Sequence, residues 1–329
     1  MAGRQVALAL GSGGARGYAH IGVLQVLDER GFDIVAVAGS SMGAMVGGLY
    51  AADVLDDYTT WATSLSQLDI WRLLDPSLSA AGAFKAEKAF GKVRDLLDGV
   101  LIEDMRIPFT AVATDLLAGR EVWFQHGPAD RAIRASIAIP TVITPVMHNG
   151  RLLADGGLLN PVPLAPLSSV HADATIAVSL GGERKGAAST PGGAPEHESA
   201  EQRPVDEWSE RFRRVASGWL ESDAIKAVTS RVERLLERGR TDDEIDEVDE
   251  VEESLPAGLS KGDVLTLSIE VMQAMLTRYR LASYPPDVLV TIPRDACRAL
   301  DFHRAAELIE VGRGAAEEAL DRAGLSSTG

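Results

Sequence analysis

Ser41 stands at the centre of Gly39-Ser40-Ser41-Met42-Gly43, after the apolar run 34–38 and before the small-residue run 44–52. A GxSxG at a strand-to-helix turn makes its middle serine a candidate nucleophile, because the flanking glycines allow the tight bend that lifts the hydroxyl out of the sheet. A serine hydroxyl is a weak nucleophile until a base takes its proton, so Ser41 needs a partner within hydrogen-bond reach. A second glycine turn, Gly11-Ser12-Gly13-Gly14-Ala15-Arg16-Gly17, follows the apolar run 6–10. Turns at the ends of adjacent parallel strands lie side by side, so one can present the nucleophile and the other backbone N–H groups for an oxyanion.

Candidates for the base are six histidines (His20, His126, His148, His171, His197, His303) and the carboxylates. His303 is late in the chain, where the α/β-hydrolase order puts its base, but the nucleophile of that fold follows several strands whereas Ser41 follows the second. Asp155 is the better candidate. It follows the apolar stretch 152–154 and opens Asp155-Gly156-Gly157, a turn that can present a carboxylate at the rim of a sheet. The alternatives are an Asx-turn role for Asp155 and a structural turn role for Ser41. A dinucleotide-binding reading of the first glycine turn needs an acidic residue closing the next strand, where this chain has Gly39-Ser40-Ser41. Asp115, after another strand run, reads as a turn or capping residue.

The elements that must position these residues follow from periodicity. Strands are predicted at 6–10, 34–38, 109–114, 121–125 and 175–179, and helices at 19–30, 42–52, 58–66, 86–97 and 130–137. That alternation is the pattern of a mostly parallel sheet covered by helices on both faces, a three-layer α/β/α fold. Residues 182–258 read as an insertion in a single domain spanning 1–329. It starts as a Gly/Ser/Pro-rich linker, continues as an amphipathic stretch with Trp208, Phe212 and Trp219 on one face, and ends in an acidic run. The aromatic stripe reads as packing on its own domain or on a second subunit, with a membrane-surface role as the alternative. A helix is predicted at 263–281, a last strand at 287–292 and a closing helix at 302–323.

Bulk properties narrow the function classes. With 329 residues and 46% hydrophobic content the chain can bury a large core. A net charge of −16 argues against a nucleic-acid partner; residues 242–253 supply nine of those charges and leave −7, ordinary for a globular domain. The lone Cys297 allows no internal disulfide and reads as a small buried apolar residue. Residues 5–10 read as a first strand, and no apolar run reaches the ~18 residues of a spanning helix, so any membrane contact is expected to be peripheral.

The ordered set of the two glycine turns, Ala135-Ser136 through Pro140 and Pro145, and Asp155-Gly156-Gly157 resembles the patatin-like phospholipases over residues 5 to 180. The segment 268–320 resembles the end of the bacterial members related to neuropathy target esterase. The resemblance implies a patatin-like fold and a Ser-Asp dyad, Ser41 as nucleophile and Asp155 as base. It also implies an oxyanion hole from the amides of Gly13, Gly14 and Ala15 or Arg16, with Gly11, Gly17, Gly39, Gly43, Gly156 and Gly157 shaping the turns. Arg16 is expected to orient its loop or to meet an anionic head group, and Ser136 and Pro140 to shape a helix end. The implied activity is hydrolysis of phospholipid or lysophospholipid acyl esters through an acyl-enzyme, without metal or organic cofactor, in a cytoplasmic protein whose association into homo-oligomers is left open. A lipid-binding member that turns over weakly and acts through partners is the alternative.

Overall fold

A computed structural model describes residues 3–73, 82–84, 86–182 and 261–325. The linker, amphipathic stretch and acidic run expected within 182–258 lie outside the described residues, apart from residue 182 itself.

In chain order the elements are β1 (Gln5–Leu10), α1 (Ala19–Glu29), β2 (Asp33–Ser40), α2 (Met42–Ala51), α3 (Leu55–Ser64), α4 (Gln67–Leu73), β3 (Gly82–Phe84), α5 (Glu87–Leu97), β4 (Phe109–Asp115) and β5 (Arg120–Phe124). They continue with α6 (Ala129–Ser136), β6 (Thr141–Ile143), β7 (Val146–His148), β8 (Arg151–Asp155), β9 (Ala174–Gly182), α7 (Lys261–Ser283), β10 (Val288–Pro293) and α8 (Ala305–Ala323). The eight-stranded sheet runs β10-β9-β1-β2-β4-β8-β7, with β5 also paired to β4. Neighbours from β10 to β4 are parallel, and β5, β8 and β7 add antiparallel pairs. The strand after residue 285 thus joins the sheet as an edge beside β9, as its β-branched pattern predicted. Strands β3, β6 and β7 were not foreseen, since three residues are too few to show a period of two, and β8 was seen only as the apolar stretch 152–154 before Asp155.

The two faces of the sheet are chemically unlike. In β1, Val6, Leu8 and Leu10 pack with α1, α2 and α8, whereas Ala7 and Ala9 face the other layer; Val37 and Ala38 of β2, and Ile176 and Ala177 of β9, divide in the same way. Alternation of branched residues with alanine is a strand signature. It also sets layer thickness, because the alanine face lets the segment of Val162, Leu164 and Leu167 lie close, with Val170, Ala172 and Leu281 packed beside it. Helix α2 is buried on nearly every side, consistent with its apolar and glycine-rich composition.

Neighbouring residues of β1 should therefore respond to opposite volume changes. Leu8→Ala is expected to cost about 2–5 kcal/mol by leaving a cavity, and Ala9→Leu about 1–3 kcal/mol or more by overpacking the thin layer. Urea unfolding of both variants checks this; a neutral Ala9→Leu would contradict the two-faced packing.

Candidate active site

Ser41 connects β2 directly to α2 and takes φ 56°, ψ −126°, a conformation that costs a non-glycine residue of order 1–3 kcal/mol. The bend succeeds because its neighbours are small. A Cβ on Gly43 would fall 2.1 Å from the Leu10 carbonyl oxygen, so only glycine lets α2 start this close to β1. The bend is also held. The Ser41 N–H donates to Ser136 Oγ at 2.9 Å, and Ser136 Oγ donates to the Val112 carbonyl at 2.6 Å, both buried. Beside it, Ser40 Oγ donates to the Asn160 carbonyl at 2.6 Å.

Strand pairing brings Asp155 to the same place. Residues 111–115 of β4 pair with β5, so β2 at 109–112 and β8 at 113–115 must share the opposite edge of β4. On that edge Ser40 lies opposite Val112 and Asp155 opposite Ala113, so the C-terminal ends of β2 and β8 meet head to head. Thr114 Oγ1 donates to the Asp155 carbonyl at 2.9 Å, and the Asp155 N–H donates to the Ala138 carbonyl at 2.9 Å. The Asp155 carboxylate accepts from the Gly157 N–H at 2.7 Å through Oδ1, while Oδ2 is buried with no hydrogen-bond partner. Burial raises its pKa to about 6, partly opposed by the adjacent Ser41 hydroxyl and by the Gly157 N–H. The Asx-turn reading of Asp155 and its nearness to Ser41 therefore both hold.

The first glycine turn completes the cluster. It enters a 3-10 turn at Gly14–Tyr18, with Gly13 as cap and Gly17 packed on Met42, the first residue of α2. The Gly11 N–H donates to the Val178 carbonyl and the Ser12 N–H to the Pro161 carbonyl, at 3.0 and 2.8 Å. Gly14 has φ 57°, and a Cβ there would lie 2.5 Å from the Ala299 carbonyl oxygen. Gly13 and Gly14 occupy the positions whose N–H groups have no partner inside the turn, and neither has a backbone acceptor among the described residues. The expectation for Ala15 is corrected: its N–H donates to the Ala299 carbonyl at 2.8 Å and is not free for an oxyanion. Arg16, third in the turn, lies in the i−3 ladder that claims its amide. Its buried side chain donates to the carbonyls of Gly13 and Arg294 and pairs with Glu270 at 3.6 Å. It orients the loop and is not turned out toward a head group.

The patatin-like phospholipase profile matches residues 8–168, the span that holds all three loops. An uncharacterised NTE family protein of Mycobacterium tuberculosis is 49% identical over 339 residues, covering 96% of this chain and 91% of that protein. The chain belongs to the NTE family of patatin-like phospholipases. The lysophospholipase NTE1 of Cryptococcus neoformans is 35% identical over 187 residues, which is 55% of this chain and 11% of that much longer protein. A patatin-like phospholipase domain-containing protein of Caenorhabditis elegans is 34% identical over 190 residues, 55% of this chain and 14% of that one. Among solved structures, VipD of Legionella pneumophila is similar at 13% identity and TM-score 0.48, over 98% of this chain and 67% of that chain.

Other residues of this patatin-like chain take the bland roles expected for them. Asp115 Oδ1 accepts from the N–H groups of Leu117 and Ala118, an Asx turn, and Cys297 is buried. Among the described residues no histidine hydrogen-bonds Ser41; His303 sits in the separate turn Phe302–Arg304. Buried His20 has its pKa lowered to about 4 by desolvation, opposed by its bond to the Gly11 carbonyl at 2.8 Å. It is therefore neutral near pH 7 and braces the glycine turn. Ser136 was expected only to shape a helix end, and no sequence signal marks Thr114 or Asn160, whose contacts join residues 41 or more positions apart.

The raised Asp155 pKa fixes a sign for stability. Between pH ~3.8 and ~6 the folded chain binds more protons at this group than the unfolded chain, so its contribution falls as pH rises, by roughly 3 kcal/mol in all. Asp155→Asn is thus expected to gain stability over the wild type at pH 8 and to lose that advantage by pH 4. Denaturant titrations of both proteins across that range check the trend; a difference that does not vary with pH would contradict it.

Proposed function

We propose that this protein is a serine hydrolase of lipid acyl esters, acting on phospholipids or lysophospholipids through a Ser41-Asp155 dyad. The observation that carries the reading is the meeting of a buried, strained serine with a buried carboxylate at the head-to-head ends of β2 and β8, beside the glycine turn. Family membership supports a lipid ester as substrate, since relatives over half of this chain are named lysophospholipases.

In the proposed cycle the Asp155 carboxylate takes the Ser41 proton as Oγ attacks the ester carbonyl carbon. The negative charge moves to the former carbonyl oxygen, where the Gly13 and Gly14 N–H groups donate to it; one such donor is worth about 2.7–4 kcal/mol in other serine hydrolases. The positive end of α2 adds to this stabilisation. Collapse breaks the bond to the leaving alcohol, which takes the proton from Asp155, and leaves an acyl-serine. Water, deprotonated by Asp155, attacks that ester, and collapse releases the fatty acid and returns the proton to Ser41. A base whose pKa lies near 6 is mostly ionised at neutral pH yet still accepts a proton readily, the compromise that favours general-base catalysis.

The test is labelling by a fluorophosphonate together with hydrolysis of a short acyl ester. Ser41→Ala is expected to abolish both. Asp155→Asn should lower kcat by about 10³-fold or more while the protein stays folded, and His303→Ala should leave kcat within about twofold. For the wild type, kcat/KM is expected to fall about tenfold per pH unit below the Asp155 pKa of about 6, because only the ionised carboxylate accepts the proton. Folded wild-type protein that neither labels at Ser41 nor turns over ester would overturn the hydrolase reading.

A further inference from the structure

Helix α7 meets the body of the protein through charged side chains and through Leu281, which packs on the alanine-lined cluster, and it keeps a line of apolar side chains outward. On its inward side Glu270 pairs with Arg16, and Arg280 pairs with Glu121 and donates to the Leu159 carbonyl at 3.2 Å. On its outward side Leu267, Val271, Met275 and Tyr279 recur every fourth residue, with Met272 beside them, and every one is exposed, from 42% for Met275 to 65% for Tyr279. Residues three and four apart share a helix face, so these side chains form one ridge about 18 Å long. Scattered exposed apolar residues need no explanation, but a continuous ridge does.

The ridge continues toward the site in aromatic residues. Glu121, which holds Arg280, also accepts from the indole N–H of Trp123 at 3.0 Å and from Asn160 Nδ2 at 3.0 Å. Trp123 is 43% exposed, and Tyr284 just beyond the helix is 39% exposed. The inward partners of α7 are Arg16 in the glycine turn and Leu159 in the loop after Asp155, so the ridge borders the loops that carry the candidate chemistry.

Charge decides among occupants. The chain has 48 acidic and 32 basic residues, yet Glu270 is the sole carboxylate between 264 and 286, and it is turned inward; the charge on the outward side is Arg278. An apolar ridge with tyrosine and tryptophan at one end, an outward cation, and its neighbouring acids Glu270 and Glu121 each paired with an arginine suits the head-group boundary of an anionic membrane.

We infer that the outward face of α7, with Trp123 at its end, docks this protein on anionic phospholipid bilayers and so brings the candidate active site to its lipid. The inference rests on the lipid-hydrolase reading for its purpose, while its test is independent of turnover. Full-length Ser41→Ala protein is sedimented with vesicles of phosphatidylcholine and phosphatidylglycerol, about 3:1, and the same protein carrying Val271→Ser, Met275→Ser and Tyr279→Ser is compared with it. Partitioning is expected to fall about tenfold or more in the triple variant. Arg278→Glu should weaken binding to the anionic vesicles and leave binding to pure phosphatidylcholine unchanged. With Ser41 intact, the triple substitution should keep hydrolysis of a soluble short ester within about twofold and slow hydrolysis of vesicle lipid.

Equal partitioning of the folded triple variant would overturn the docking surface, as would absence of vesicle binding by the starting protein. Wild-type dimers in light scattering that the triple substitution dissociates, with vesicle binding unchanged, would assign the face to a second copy instead. Vesicle binding that behaves as expected, in a protein that hydrolyses neither substrate, would support the docking surface and overturn only the hydrolase reading.

Discussion

The Val112 carbonyl oxygen is the point around which the site is assembled. It lies on β4 where β2 ends and β8 arrives from the opposite direction, and it accepts the Ser136 hydroxyl that in turn accepts the Ser41 N–H. Gly156 packs against the same oxygen, so the turn after Asp155 is set by the same atom. A positive-φ serine at the end of one strand and a buried aspartate at the end of another thus have a common reference. Their separation is governed by one strand edge and does not accumulate error through loops. Rigid placement of this kind is what the proposed pair of Ser41 and Asp155 would need to act together.

The arrangement carries two costs that the surrounding structure absorbs. Ser41 sits in a sparsely populated backbone region, and Asp155 keeps one carboxylate oxygen buried without a partner. Both oppose folding, and both are what the proposed proton transfer between the two side chains would draw on. The compensation lies in the apolar face of the sheet, where Val, Leu and Ile from β1, β2, β9 and β10, with Phe109 of β4, pack against α1, α2 and α8.

Much of this was legible in the sequence because it is written locally. Alternating branched residues and alanine mark β1, β2 and β9, and glycine turns directly after strand runs mark the bends. Asp155 was legible as a turn carboxylate, and its pairing with Ser41 came from the family resemblance. What was not legible depends on residues distant in sequence. The Ala15 amide reads as a free donor until the Ala299 carbonyl, 284 positions away, takes it. The inward face of α7 was not legible either, because Glu270 and Arg280 are held by Arg16 and Glu121, residues more than 150 positions away. Strands of three residues, such as β7, carry too little pattern to be seen at all.

The partners of the glycine turn also bear on the order of synthesis. Ser41, Ser136, Asp155 and both glycine turns have all been made when translation reaches residue 182, and the family profile is complete by then. The carbonyls of Ala299 and Arg294 and the carboxylate of Glu270, which hold Ala15 and Arg16, belong to the last third of the chain. A nascent chain emerging from the ribosome therefore holds Ser41 and Asp155 well before it holds the brace on its glycine turn, and full assembly of the candidate site waits for the C-terminal segment to dock.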